Sequence, residues 1–211
     1  MKRQKGKKAN LFASLCLFAS LPFCLFVLIS ADGKEGDFGA ISGRVIAKNP
    51  RYQKDTVVYI GRVEGNFPPT KEHTIMDQND ITFVPHILPI LVGTTVDFHN
   101  SDTIPHNVYS KDEVADKMNL GTWRQGEVRS YTFNKPGSAV ILCHIHAEME
   151  AYIVVLQNPY FAVTKKNGKF VIDNIPDGLY YLKVWHKFLK AEDVKIEVKK
   201  GETVEVNFNL K

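Results

Sequence analysis

The stretch "AVILCHIHAEMEAYIVVL", Ala139–Leu156, places a polar octapeptide between two apolar runs. The octapeptide, Cys143–Glu150, contains one cysteine, two histidines, two glutamates and one methionine. Three interpretations are open from these residues alone: a metal site, a thiol nucleophile with a histidine base, or a polar strand end. The compartment in which Cys143 lies, and residues elsewhere in the chain, decide among them.

The first thirty residues have the pattern of an export signal. Five Lys and Arg residues within the first eight positions precede twenty uncharged, largely apolar residues, 11–30. A basic start followed by an apolar segment is typical of a secretory signal peptide. We expect residues 1–31 to be removed after Ala31. Alternatively, residues 11–30 remain as a membrane anchor, since twenty apolar residues are long enough to span a bilayer. Either outcome predicts a periplasmic or otherwise exported protein.

Removal of this leader would reverse the sign of the net charge. Residues 1–31 carry five of the 27 Lys and Arg residues and none of the 23 Asp and Glu residues, which leaves 22 − 23 = −1. A nucleic-acid-binding surface needs clustered Lys and Arg. We therefore expect no nucleic-acid partner, and contact with a membrane only through the N-terminal segment.

Cys143 is the one thiol that remains once the leader is removed, because Cys16 and Cys24 lie within it. Cysteines normally pair in an oxidising compartment. An unpaired exported thiol is a buried small side chain, a reactive residue or a metal ligand. His146, three residues further on, favours the metal ligand.

The remainder of the chain predicts an all-β fold. Val194–Val198 and Val204–Leu210 alternate apolar and polar residues, as half-buried strands do. The tripeptide Lys200-Gly201-Glu202 between them predicts a hairpin connection. No run of helical period exceeds about two turns. Only Ser110–Gly121 is typical of a loop or short helical turn.

Two separated segments resemble parts of one sandwich family. Ala40–Ala47 with Asp55–Ile60 resembles the opening strands of transthyretin-like (carboxypeptidase regulatory-like) sandwiches, and Ala162–His186 resembles their continuation. About 100 residues intervene. We predict a discontinuous sandwich, residues 38–66 and 159–211, around an inserted domain. The alternative is two consecutive domains preceded by an N-terminal pair of strands.

The inserted domain, residues 67–158, resembles a plastocyanin-type cupredoxin. Pro105-His106-Asn107-Val108 follows a strand and an Asn-x-Asp turn, and the later loop has the spacing Cys143-x2-His146-x2-Met149, which is similar to that of amicyanin-like members. The resemblance implies a Greek-key sandwich that binds one mononuclear copper ion through His106, Cys143, His146 and Met149. It also implies that the Asn107 backbone donates to the thiolate and its side chain joins the two ligand loops. With its transthyretin-like flanks, the chain resembles a bacterial exported plastocyanin-like family sometimes labelled methylamine-utilisation proteins.

The ligand types suit copper independently of the family. An ion that cycles between Cu(I) and Cu(II) needs ligands that suit both states, which a thiolate, two imidazoles and a weak axial thioether provide. Zn²⁺ would also fit these ligands. Side chains alternate along a strand, so Cys143 and His144 point to opposite faces. We therefore predict that His146 is the ligand and that His144 is a surface or packing residue.

The remaining candidates favour structural interpretations. A thiol protease is disfavoured because no oxyanion hole or third orienting residue accompanies Cys143. A dicopper centre is excluded because it needs two thiolates. We predict structural or solvent-exposed positions for the other candidates, His73, His86, His99, His186, Glu148 and Glu150.

These residues predict an electron carrier and not an enzyme, and no catalytic residue is assigned. The expected partners are redox proteins, such as a c-type cytochrome or a periplasmic oxidoreductase, that dock weakly near the exposed edge of His146. Two alternatives are copper storage or delivery, and a cell-envelope recognition module in which the copper is structural.

Overall fold

The computed structural model describes residues 38–211, which form β-strands with two short 3-10 helices, Pro50–Gln53 and Glu113–Ala115. The all-β prediction is confirmed. The predicted leader, residues 1–31, lies outside the described residues, and within 38–211 no helix is long and apolar enough to cross a membrane. The strands are β1 (Phe38–Ala47), β2 (Val57–Ile60), β3 (Thr74–Asn79), β4 (Thr82–Val84), β5 (Ile87–Leu91), β6 (Thr94–Asn100), β7 (His106–Tyr109), β8 (Asn119–Trp123), β9 (Val128–Phe133), β10 (Gly137–Leu142), β11 (Glu150–Leu156), β12 (Phe161–Val163), β13 (Lys169–Pro176), β14 (Gly178–Trp185), β15 (Val194–Val198) and β16 (Thr203–Leu210).

Seven strands from the two ends of the described region form the flanking sandwich. Its sheets have the strand orders β13-β1-β16 and β12-β2-β14-β15. Alternating apolar residues point into the core between them, as the pleat of a strand requires. Fully buried members of this core include Ile41, Val45, Ile60, Ile175 and Leu182.

The predicted hairpin at Lys200-Gly201-Glu202 is wrong. The chain does turn tightly there, since the Glu202 N–H donates to the Lys199 carbonyl at 3.0 Å. However, β15 pairs with β14, whereas β16 pairs in parallel with β1 along its whole length. Alternation identifies a half-buried strand but does not determine which strand lies beside it. The turn is therefore a corner that carries the chain from one sheet of the flanking sandwich to the other.

The strands β3–β11 form the second sandwich, here called the central sandwich. Its sheets have the orders β5-β11-β10-β7-β8 and β4-β3-β6-β9. Three phenylalanines, Phe83, Phe98 and Phe133, are fully buried between the sheets. Because β10 lies between β7 and β11, the end of β10, the start of β7 and the loop before β11 meet at one end of a single sheet.

Strand β11 is apolar on both faces because it contributes to two cores. Ala151, Ile153 and Val155 belong to the core of the central sandwich. The alternate residues pack against β2, β12 and β14 of the flanking sandwich. A strand that is buried on both faces reads as a continuous apolar run, which explains the sequence "AYIVVL". The contact between the sandwiches, called the junction below, consists of Val57, Tyr59, Ile87, Val140, Tyr152, Val154, Leu156, Phe161 and Trp185.

Candidate metal centre

The structure brings three of the four predicted ligands together. His106 begins β7, Cys143 follows β10, and His146 lies in the loop before β11. Their potential ligand atoms all lie within 4.8 Å of one another. His106 and Cys143 are buried, and His146 is half-buried. A single loop cannot surround an ion, and β7 supplies the ligand that the loop lacks.

The imidazole of His106 has a defined orientation. Its Nε2 lies 2.6 Å from Asp102 Oδ2, and its Nδ1 lies 3.1 Å from His146 Nδ1. An ionised carboxylate only accepts hydrogen bonds, so Nε2 carries the proton in a neutral ring. The lone pair on Nδ1 then faces the other two ligands. A carboxylate partner of this kind orients a metal-binding imidazole.

Asp102 is held in turn by the backbone. The N–H groups of Asp80 and Ile81 donate to its carboxylate at 2.6 and 2.9 Å. Partial burial raises the pKa of Asp102, but these two donors and His106 outweigh that effect and keep its pKa below the usual value. Asp102 is absent from the residues predicted from the sequence. Its position four residues before His106, in the Asn-x-Asp turn, was the available indication.

Asn107 connects the separate parts of the centre. Its backbone N–H donates to Cys143 Sγ at 3.5 Å. Its buried side-chain amide donates to the Gly121 carbonyl at 2.7 Å and to Asn119 Oδ1 at 3.1 Å. Its Oδ1 accepts from the His144 N–H at 3.3 Å. One amide therefore ties β7 to β8 and to the ligand loop.

Met149 closes the ligand loop. Its side chain is 1% exposed and belongs to the same buried core as Cys143. Its backbone N–H donates to the His146 carbonyl at 3.1 Å, which shapes the turn between the two residues. The residue after it begins β11, so the position of Met149 depends on how that strand is held.

His144 does not join the cluster. Its ring is exposed and stacks on Tyr109, with ring centroids 3.7 Å apart and planes 5° from parallel. The alternation of side chains after β10 directs it away from Cys143, as the sequence predicted.

The other histidines of the described residues lie outside the cluster. His73 pairs with Asp97 at 2.9 Å, and the half-buried His99 lies on β6. His86 donates from Nδ1 to the Glu150 carbonyl at 3.0 Å. His186 accepts two backbone N–H groups at Nδ1, and burial together with Lys187 lowers its pKa against the opposite effect of Asp55. Of the two loop glutamates, Glu148 is exposed, whereas Glu150 forms an ion pair with Lys187 at 2.9 Å.

The chemistry of the donors fits copper. A buried thiol with a single N–H donor and two imidazoles suit a soft or borderline ion, and a buried thioether follows in the same loop. No carboxylate belongs to the cluster itself, which disfavours Mg²⁺ and Ca²⁺.

Comparisons with known proteins agree with this chemistry. Residues 70–156 match the model of copper binding proteins of the plastocyanin/azurin family, and residues 144–209 match the beta-sandwich domain of ER membrane protein complex subunit 7. The first match supports a cupredoxin domain with copper as its metal. The second is a β-sandwich but not a transthyretin-like one, so that predicted resemblance stays a prediction.

Several solved structures are similar to part of the chain. A reduced-state amicyanin mutant is 24% identical, covers 46% of this chain and 97% of its own, and has a TM-score of 0.37. Amicyanin from Paracoccus versutus is 22% identical, with 41% and 83% coverage and a TM-score of 0.37. A purple cupredoxin from Nitrosopumilus maritimus is 24% identical, with 39% and 98% coverage and a TM-score of 0.36. No curated protein matches the chain.

Proposed function

We propose that this protein is an exported type 1 (blue) copper protein that carries single electrons and is not an enzyme. The observation that carries the proposal is the cluster of His106, Cys143 and His146, whose ligand atoms lie within 4.8 Å of one another. These three residues and Met149 would hold the ion. Bound copper would supply one-electron redox chemistry.

The residues around the cluster support fast electron transfer. Asp102 fixes the ring of His106, and Asn107 holds both the sulfur of Cys143 and the loop that follows it. Both ligand segments start from strands of a packed sandwich. Ligands that are held in place before the ion changes charge need little rearrangement, and this lowers the barrier to transfer.

The surface beside His146 supports a redox partner. Its neighbours Ile145 and Ala147 are exposed, with 51% of Ile145 accessible. An apolar surface around a half-buried ligand brings a partner close without strong charge pairing, which favours a short-lived complex. We propose a c-type cytochrome or a periplasmic oxidoreductase as that partner, in agreement with the export signal predicted from residues 1–31.

We also propose that the two cores correspond to two domains. The flanking sandwich would consist of residues 38–66 and 159–211, and the cupredoxin domain of residues 67–158. The separate cores of the two sandwiches support this division.

A copper titration tests the proposal. The apo protein is titrated with Cu(II) and followed by visible absorption and electron paramagnetic resonance, beside Cys143→Ser and His144→Ala. We expect an intense thiolate-to-copper band at one equivalent in the native protein and in His144→Ala, bleached reversibly by ascorbate. Cys143→Ser should lack the band.

Two outcomes would contradict an electron carrier. A colourless or non-stoichiometric complex would remove the blue copper assignment. A coloured complex that loses its copper to a chelator within minutes and does not cycle would favour copper storage or delivery.

A further inference from the structure

The strand that follows Met149 is held at its first residue from both sandwiches. The Glu150 carbonyl accepts from His86 Nδ1, in the central sandwich, at 3.0 Å. The Glu150 side chain accepts from Lys187 Nζ at 2.9 Å. Lys187 belongs to the flanking sandwich, two residues beyond the end of β14. An ion pair between the sandwiches thus lies one residue from a proposed copper ligand.

Lys187 is itself well positioned. Its ammonium lies 4.7 Å from the ring centroid of Phe188 and 5.5 Å from that of Tyr152, and its side chain is 25% exposed. A cation over the faces of aromatic rings is attracted by their electron density. Trp185 packs against the same Tyr152 ring, with the two ring centroids 5.4 Å apart. The lysine therefore presents its charge to Glu150 from beside two aromatic rings.

Strand geometry links this ion pair to the junction. Residues two apart on a strand lie on the same face, so Glu150 shares a face with Tyr152 and Val154, which pack in the junction. The Lys187–Glu150 pair therefore lies beside the junction, on the same face of β11 and toward the ligand loop. Met149 and Glu150 share one planar peptide unit, so a displacement of the Glu150 backbone also moves the carbonyl of Met149.

We propose that Lys187 is a positioning residue for Met149, so that the flanking sandwich holds this proposed copper ligand in place through Glu150. The effect of this role on the reduction potential rests on the proposed function, because a weak axial thioether tunes the potential of a blue copper site. The flanking sandwich would then set the potential of a centre to which it contributes no ligand.

Two variants remove the ion pair, one from each side. Lys187→Met removes the ammonium and keeps an apolar stem, and Glu150→Gln removes the carboxylate charge. Lys187→Arg keeps the charge and is the rescue. Lys199→Met is the matched control, because it breaks an exposed ion pair with Glu197 in the same sandwich at 3.5 Å. Circular dichroism and thermal unfolding establish which variants are folded.

The first readout needs no metal. Methionine methyl groups are labelled with ¹³C, and the Met149 resonance is assigned with Met149→Leu among the four methionines of the chain. We expect the Met149 methyl resonance of the apo protein to shift and broaden in Lys187→Met and Glu150→Gln. It should return toward its native position in Lys187→Arg and remain unchanged in Lys199→Met.

The second readout is the reduction potential, with the visible spectrum of the copper-loaded protein. We expect both to depart from native values in the two variants that lack the ion pair and to recover in Lys187→Arg. Native Met149 resonances and potentials in folded Lys187→Met and Glu150→Gln would overturn the positioning role. Absence of a thiolate-to-copper band in the native protein would instead overturn the proposed function, and the apo methyl spectra would still decide where Met149 is held.

Discussion

Asp102 and His106 form a 2.6 Å contact in which the imidazole is completely buried while the carboxylate side chain is 13% exposed. The carboxylate lies on the side of the ring nearer to solvent, and the other ring nitrogen, Nδ1, faces His146. The ring orientation therefore depends on a side chain that binds no metal.

Replacing Asp102 by Asn should weaken copper binding by about 10–100-fold, as the loss of an orienting partner does at other metal sites. The amide presents to His106 Nε2 either its oxygen, a weaker acceptor than a carboxylate, or its NH2 donor, and it no longer selects one orientation of the ring. Competition with a chelator of known affinity measures the change. Asp80→Asn is the control, because the contact of Asp80 with Asp102 is made by its backbone N–H. Equal affinities in the two variants would contradict an orienting role for the Asp102 carboxylate.

Replacing Asn107 by Ala should lower the free energy of unfolding of the apo protein by about 1–3 kcal/mol, because it leaves buried hydrogen-bonding groups without partners. The amide of Asn107 bonds both to Gly121 and to the N–H of His144. Urea denaturation of the metal-free protein measures the loss. Asn209→Ala, at an exposed strand position, should leave stability nearly unchanged. The same small effect at both positions would show that the amide network contributes little.

Alkaline pH should destabilise the protein through Tyr131. Partial burial and the hydrogen bond to Asp116 at 2.8 Å raise its pKa from 10.0 to about 12, and Lys135 pairs with the same carboxylate. The unfolded chain ionises this phenol near pH 10 whereas the folded chain keeps the proton, so its contribution to stability is complete below pH 10 and is lost as pH rises toward 12.

Tyr131→Phe isolates this effect, because the variant keeps the ring and cannot ionise. Urea midpoints of both proteins are compared across the same pH range. We expect the native protein to lose stability relative to Tyr131→Phe as pH rises. Parallel curves would contradict the assignment.

The two sandwiches should unfold together. Trp123 lies in the central core and Trp185 in the junction, so each tryptophan reports on a different region. The variants Trp123→Phe and Trp185→Phe each keep one tryptophan, and their unfolding in urea is followed by fluorescence and by circular dichroism. In each variant we expect a single transition with the same midpoint by both probes. Different transitions for the two probes within either variant would indicate that the sandwiches unfold separately.

Shortening one buried side chain of the junction should destabilise the whole protein. Leu156→Ala should lower the free energy of unfolding by about 2–5 kcal/mol, because Leu156 is 7% exposed and leaves a cavity. Leu179→Ala, where the side chain is 66% exposed, should change it by about 0.5 kcal/mol or less. Similar losses in the two variants would contradict the role of the junction.

The sequence predicts those features that depend on the spacing of residues along the chain, namely the strands and the ligand loop. Alternation identified β15 and β16 as strands, and the distance from Cys143 to His146 was enough to predict that both face one site. Neither pattern contains information on distant neighbours. For this reason the sequence predicts a hairpin of β15 with β16, whereas β16 pairs with β1.

The supporting residues were harder to predict for the same physical reason. Asp102 and Lys187 have ordinary surface residue types, and their roles depend on contacts that only the folded chain creates. Lys187 is 37 residues from Glu150 in sequence and reaches it only because β14 packs near β11. Ligands have chemically distinctive residue types, whereas the residues that orient them do not.

The double role of β11 has a consequence for the order of assembly. Along the chain, β1 and β2 come first, but their neighbours in the flanking sheets, β12, β13, β14 and β16, follow only after β3–β11. Sequence-local strands pair sooner than distant ones. The central sandwich can therefore form first, and the outer face of β11 becomes the template on which both ends of the chain assemble.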